Sequence, residues 1–206
     1  MKSFKEHIAQ YHKAPITCVF AGRFQLPHKG HKHVFDYLHN MFPETFLCTS
    51  NKVELPKSPF TFEEKRHLLE FAGIPNNRIT QTRIPNLPVE LTSKMSDNAV
   101  LVIGAGAKVQ EEENRFPFKT RSDGSLGYYQ PYESHKNDLK PYTQHAYIVF
   151  FPTFKFKVLG TEVKSASELR NMFKSLDYKG QIRFITDLYG HYSEPIHHIL
   201  SKLDQL

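Results

Sequence analysis

Apolar and polar residues alternate along this chain in two rhythms. A β-prone apolar run over 16–20 passes through a turn containing glycine and proline into a helical pattern that begins at Lys29 and ends near 41. The pattern then predicts a strand over 44–50, a loop over 51–59, a helix over 60–72 and a strand over 77–84. A short helix over 88–95 precedes a Val-rich strand over 99–104. A strand over 147–151 and helices over 165–176, 179–188 and 194–203 complete the chain. Such alternation predicts an α/β fold. Its parallel sheet is covered on both faces, and ligands bind beyond the carboxyl ends of the strands, where the strand order reverses. No internal repeat or low-complexity tract interrupts it.

Between 115 and 142 the periodic spacing gives way to Pro, Gly, Ser and Lys, with Tyr128, Tyr129, Tyr132 and Tyr142 inside the segment and Tyr147 nearby. Two readings stand equal: a lid or acceptor-binding insertion, and a packed surface loop whose tyrosines cover the sheet edge. The expected organisation is a domain over 1–176 containing this insertion, followed by a C-terminal helical extension over 177–206.

Composition narrows the class. Hydrophobic residues at 39% and aromatics at 13%, with 17 Phe, 10 Tyr and no Trp, describe a globular chain. No stretch approaches the ~20 apolar residues that span a bilayer. The polar opening Met1-Lys2-Ser3-Phe4-Lys5 lacks the apolar core of a signal peptide, so a cytoplasmic location is expected. Cys18 and Cys48 both fall in predicted strands and read as small core residues; no metal-ligating cluster is predicted. A formal charge of +6 and a pI near 9.2 suggest an anionic partner. Because the Lys and Arg residues are spread out, phosphate-handling side chains in one cleft explain the sign as well as a nucleic-acid surface does.

One segment concentrates the chemistry. Gly22-Arg23-Phe24-Gln25-Leu26-Pro27-His28-Lys29-Gly30-His31 spans the handover from strand to helix. There, unpaired backbone N–H groups and two imidazoles three residues apart would face a phosphate. A second candidate is Ser165-Ala166-Ser167-Glu168-Leu169-Arg170, preceded by Lys164, where hydroxyls and an arginine gather at a helix start. Alone, such a stretch is most often a cap with a surface arginine. Between the two, Lys57-Ser58-Pro59-Phe60-Thr61-Phe62-Glu63-Glu64-Lys65-Arg66 offers Lys57 to a phosphate, while Thr61 and Glu64 suit a capping box. Gly104-Ala105-Gly106, at a strand end, would let the backbone approach a purine edge.

The histidine segment resembles the HxGH signature of the nucleotidylyltransferase superfamily. Its Gly-Arg-Phe-Gln lead-in resembles the nicotinamide mononucleotide adenylyltransferases in particular, with Leu26 and Pro27 where those carry Pro-Phe. Ser165 to Arg170 resembles the superfamily's Ile-Ser-x-Thr-x-x-Arg motif, and Pro152-Thr153-Phe154-Lys155-Phe156-Lys157 resembles phage-encoded members. The resemblance implies a Rossmann-like fold and transfer of AMP from ATP to a phosphate-bearing acceptor, nicotinamide mononucleotide first, giving NAD and pyrophosphate. It implies His28, His31 and Arg170 as catalytic, and Gly22, Arg23, Phe24, Gln25, Gly30, Lys57, Gly104, Ser165 and Ser167 as nucleotide-binding. Mg2+ would be bound through substrate phosphates, and a homo-oligomer is allowed. The alternatives are a cytidylyltransferase or other adenylyltransferase acting on another phosphorylated acceptor, and a non-catalytic nucleotide or nucleic-acid binding module.

Overall fold

Thr17, Cys18, Val19 and Phe20 are all buried, because the strand that carries them lies inside a sheet covered on both sides. The computed structural model describes residues 14–106, 116–163 and 165–206. Six parallel strands form the sheet: β1 (Ile16–Ala21), β2 (Glu44–Thr49), β3 (Ile79–Gln81), β4 (Val100–Gly106), β5 (Tyr129–Pro131) and β6 (Ala146–Phe151). Their spatial order is β3-β2-β1-β4-β6-β5. Val19 stands opposite Phe46 of β2 and Ile103 of β4. The chain moves outward from β1 through β2 to β3 and then returns to the other side of β1 at β4. The order therefore reverses between β1 and β4, and the crevice at their carboxyl ends is where a doubly wound, Rossmann-like sheet binds its ligands.

The two faces follow from the pleat. Cys18, Phe20 and Val102 point toward α1 (Lys29–Met41), which buries Val34, Phe35 and Leu38 against them. Val19, Leu101, Ile103 and Ile148 point the other way, toward Phe116 and Leu91 of the single-turn α3 (Val89–Thr92). A third cluster joins Leu26, Phe60 and Leu68 of α2 (Phe62–Phe71) to the C-terminal helices α5 (Ala166–Lys174), α6 (Tyr178–Tyr189) and α7 (Glu194–Leu200) and the 3-10 turn Ser201–Gln205. The segment expected as an extension thus shares its apolar cluster with Leu26, two residues before His28. Cys18 and Cys48 are free, buried thiols pushed up to about 12 chiefly by burial. Among the described residues no helix is long and apolar enough to cross a membrane.

Three elements depart from the sequence pattern. The strand expected over 77–84 shortens to β3, preceded by a 3-10 turn at Asn76–Arg78, because β2 offers partners only from Leu47 to Thr49. Part of the segment expected as a loop over 115–142 forms β5 and the single-turn α4 (Tyr132–His135); residues 107–115 lie outside the described residues. Its tyrosines are packed: the Tyr128 hydroxyl donates to the Tyr142 carbonyl at 2.9 Å, and the Lys140 N–H donates to the buried Tyr147 hydroxyl at 2.7 Å. Tyr129 crosses Phe116 edge to face. Of the two readings, the described part matches the packed edge. Finally, β7 (Phe156–Val158) and β8 (Thr161–Val163) form an antiparallel hairpin that the pattern does not announce.

Candidate active site

The loop after β1 is held by its own side chains. Gly22 N–H donates to the Cys48 carbonyl at 3.1 Å, and a Cβ at Gly22 would stand 2.8 Å from the Phe24 ring. Phe24 itself takes a φ of 47°, a left-handed value costly for a bulky residue. Its ring is fixed edge to face against Phe20 at 5.1 Å and His31 at 4.9 Å. The Gln25 side chain clasps the backbone of Phe60 from both sides, accepting from its N–H at 2.9 Å and donating to its carbonyl at 3.1 Å. That clasp occupies the amide. Gln25 therefore shapes the cavity wall, and its side chain is not offered to a nucleotide as expected.

His28 caps α1, and the two imidazoles lie stacked with centroids 3.7 Å apart. His28 Nδ1 accepts from the Gly30 N–H at 3.1 Å, and His31 Nδ1 accepts from the His28 N–H at 3.2 Å. Each ring consequently carries its proton on Nε2. The glycine between them is required: a Cβ at Gly30 would lie 2.9 Å from His28 Nδ1 and 2.8 Å from the Phe156 ring, which flanks His28 on its other side at 4.8 Å. Burial lowers both pKa values, that of His31 to about 3, while the charge of His31 adds to the effect on His28. Two neutral rings result. The expectation of free backbone N–H groups needs correction here, since Gly30 N–H bonds His28 Nδ1 and His31 N–H bonds the His28 carbonyl at 2.8 Å. The donors left for an anion include the imidazole Nε2–H groups.

The second segment comes up beside the first. Arg170 reaches back from α5, donating from one guanidinium nitrogen to the Gln25 carbonyl and from the other to Ser167 Oγ at 3.0 Å. A cavity of about 420 Å³ is lined by Arg23, Gln25, His31, Lys57, Ser167 and Arg170. It shares Arg23, Phe24 and His31 with a cavity of about 340 Å³ that includes Gly22, His28, Gly30 and Gly104. The shared residues make the two one cleft. Its first part is cationic; its second has aromatic walls, among them Phe20, Phe116, Phe151 and Phe154, and one carboxamide, Asn86. No carboxylate side chain lines either part among the described residues. Burial, and after it the Arg23 charge, lower the pKa of Arg170, as expected of cations facing each other.

Twelve positions were expected at the site, and all but Ser165 line this cleft. Ser165 caps α5 instead, accepting from the Glu168 N–H at 3.2 Å, and Lys164 lies outside the described residues. Gly104 lines the cleft and has a packing reason as well, because a Cβ there would meet Leu38 Cδ1 at 2.5 Å. Thr61 and Glu64 form the capping box on α2. Lys65 is buried, donating to Thr49 Oγ1 at 2.9 Å and to the Ser50 carbonyl; burial lowers it to about 8. Residues without a sequence signal brace the histidines. The Tyr189 hydroxyl donates to the Pro27 carbonyl at 2.8 Å, and Lys29 lies over the Phe156 ring and donates to the Asp187 carbonyl at 3.0 Å.

Residues 19–125, more than half of the chain, match the sequence family described as cytidylyltransferase-like. The chain belongs to this family. The match takes in both histidines, Lys57 and Gly104 of this cytidylyltransferase-like chain, while Ser167 and Arg170 lie beyond it. The fold is shared with Plasmodium falciparum nicotinic acid mononucleotide adenylyltransferase complexed with NaAD: TM-score 0.50, 14% identity, 93% of this chain and 96% of that one covered. The same protein complexed with APC gives a TM-score of 0.47 at 14% identity, over 93% and 96%. No curated protein matches the sequence.

Proposed function

We propose that this protein transfers a nucleotidyl group from a nucleoside triphosphate to a phosphate-bearing acceptor and releases pyrophosphate. The supporting observation is the single cleft that carries two neutral, Nε2-protonated imidazoles at one point and Arg23, Lys57, Ser167 and Arg170 at another. An oxygen of the acceptor phosphate attacks the α-phosphorus in line. The bond to the bridging oxygen breaks, and pyrophosphate leaves with that electron pair. His31 donates to the α-phosphate oxygens as charge builds there, and His28 holds the triphosphate beside it. Arg170, Lys57 and Ser167 hold the outer phosphates, and Arg23 supports the junction.

The phosphate nature of the acceptor rests on what the cleft lacks. Both Nδ1 lone pairs are occupied, and the described lining holds no carboxylate, so no group there is ready to take a proton from an alcohol nucleophile. A phosphate arrives already deprotonated. Magnesium would arrive as part of the substrate, bound through the oxygens of the triphosphate.

ATP and nicotinamide mononucleotide are the substrates most favoured, on the likeness of Gly22 to Gln25 to that branch. The aromatic part of the cleft suits the flat ring systems of both. The Plasmodium protein of shared fold is named for nicotinic acid mononucleotide, so both pyridine forms belong in the assay. Pyrophosphate release, read over four triphosphates and a panel of phosphorylated acceptors with product masses, tests the reading. One active pair is expected, with turnover falling roughly 100-fold or more in His31→Ala. Silence across the panel from folded protein, or a His31→Ala form at full rate, would remove it.

A further inference from the structure

The cationic part of the cleft does not end at Arg170. A further chamber of about 200 Å³ is lined by Pro56, Lys57, Ser167, Arg170, Asn171 and Lys174, with Leu203 and Leu206 at its edge. It shares Lys57, Ser167 and Arg170 with the chamber assigned above to the outer phosphates. We propose that this outer chamber is a subsite for phosphate groups beyond the third, so that the groove as a whole accepts a polyphosphate chain longer than a triphosphate. The inference rests on the reading under Proposed function and extends it along the same groove.

Helical spacing builds the chamber wall. Ser167, Arg170, Asn171 and Lys174 stand at i, i+3, i+4 and i+7 and so share one face of α5. Lys174 lies about 6 Å beyond Arg170 along the axis. It is exposed at the last turn, where the helix end contributes only about half a negative charge against its full positive one. Lys57 faces that wall from the loop before α2. Neither Lys57 nor Lys174 makes an ion pair among the described residues, although other exposed lysines, such as Lys136 with Glu133 and Lys140 with Asp138, do. No carboxylate side chain lines the chamber, and the guanidinium of Arg170 has further N–H groups beside the two it uses on Gln25 and Ser167. Cations gathered in a concavity that no carboxylate side chain lines, and that shares Lys57, Ser167 and Arg170 with the triphosphate chamber, suit a chain of phosphates whose charges repeat along its length, even with Glu54 acting on Lys57 from outside the lining.

Two sources share that chemistry, an inorganic polyphosphate and a nucleoside polyphosphate. Calorimetric titration of the full chain separates them: pyrophosphate, tripolyphosphate and tetrapolyphosphate in one series, ATP and adenosine 5′-tetraphosphate in the other. In at least one series the longer ligand is expected to bind roughly tenfold more tightly than the shorter, from one added charge-assisted contact. Lys174→Ala should remove that increment and Lys174→Arg should keep it, while Lys179→Ala, an exposed lysine outside the groove, leaves it intact. Equal affinity along both series would overturn the proposal, as would a Lys174→Ala form that weakens every ligand by the same factor. If ATP itself fails to bind, the triphosphate reading falls with it. If ATP binds without any gain from a fourth phosphate, only the outer subsite falls.

Discussion

Replacing Gly30 by alanine adds one methyl group at the point of the cleft where the two imidazoles are held. Its Cβ would stand 2.8 Å from Phe156 Cε1 and 2.9 Å from His28 Nδ1, where non-bonded carbon contacts settle near 3.5 to 4.0 Å. The rings must therefore yield by about 0.7 Å or more. His28 cannot move away from Phe156 without pressing on His31, 3.7 Å behind it, so the displacement passes to both imidazoles. A misplacement of about 1 Å costs on the order of 100-fold in rate, which puts the expected loss in kcat at roughly 10- to 100-fold. Crowding of this kind costs about 1–3 kcal/mol, offset by up to about 1 kcal/mol because alanine favours the helix. The net change in stability is thus about 0–3 kcal/mol, a fall in Tm of no more than about 12 °C. The assay pairs pyrophosphate release with thermal denaturation. Gly190→Ala is the control: its φ of 90° makes alanine costly by about 1 kcal/mol, yet nothing lies within 4 Å and kcat should hold. A Gly30→Ala enzyme at the wild-type rate, or one whose activity falls only with its folded fraction, would refute the reasoning.

The two neutral histidines predict a pH effect on stability. Their folded pKa values lie below 6.5, so the unfolded chain takes up protons first as pH falls; stability is full above about pH 7 and declines from 6.5 toward the His31 value of about 3. The slope is at most about 1.4 kcal/mol per pH unit for each ring, less where the cleft admits solvent. Urea denaturation at several pH values should show a flatter profile in His28→Gln/His31→Gln, and parallel profiles would contradict the assignment. Arg170→Lys cannot bridge the Gln25 carbonyl and Ser167 together, so KM for the triphosphate should rise about tenfold with kcat changed less; an unchanged KM counts against its role. Tyr189→Phe leaves the Pro27 carbonyl without its donor and should lower stability by about 1–3 kcal/mol, read by denaturant titration, whereas an unaltered midpoint would mean that the contact is idle.

What could be read from the residues divides along physical lines. The run ending at Phe20 and the period beginning at Lys29 gave β1 and α1 because both are buried on the faces that their patterns name. The hairpin β7–β8 left no trace, since two strands of three residues paired only with each other have no alternation long enough to detect. Phe156 was therefore invisible as the ring against His28. β5 ends in Pro131, a residue that argues against a strand except at an edge, which is where it lies. At the site, motif spacing anticipated which residues gather in the cleft, but not the internal bonding that decides what each has left to offer. Gln25 and Ser165 have the right chemistry and are already engaged, one by Phe60 and the other by its own helix. Gly104 was read for ligand access and does line the cleft, but Leu38, far away in sequence, also limits its size. Partnerships across long stretches of chain are not written locally.

Those long-range partnerships also bear on how the cleft comes to exist during folding. Arg170 to Gln25, Lys29 to Asp187 and Tyr189 to Pro27 join residues separated by 145, 158 and 162 positions. Such contacts form late, because the intervening chain must first be ordered, and on a ribosome that feeds the chain out from its N-terminus the partners of the histidine loop emerge after all six strands of the sheet. The sheet can begin to assemble while synthesis continues. The cleft cannot, because a chain that has not yet released Arg170 and Tyr189 would hold its histidines without the two residues that fix their loop, so the cleft is completed only after the sheet that carries it.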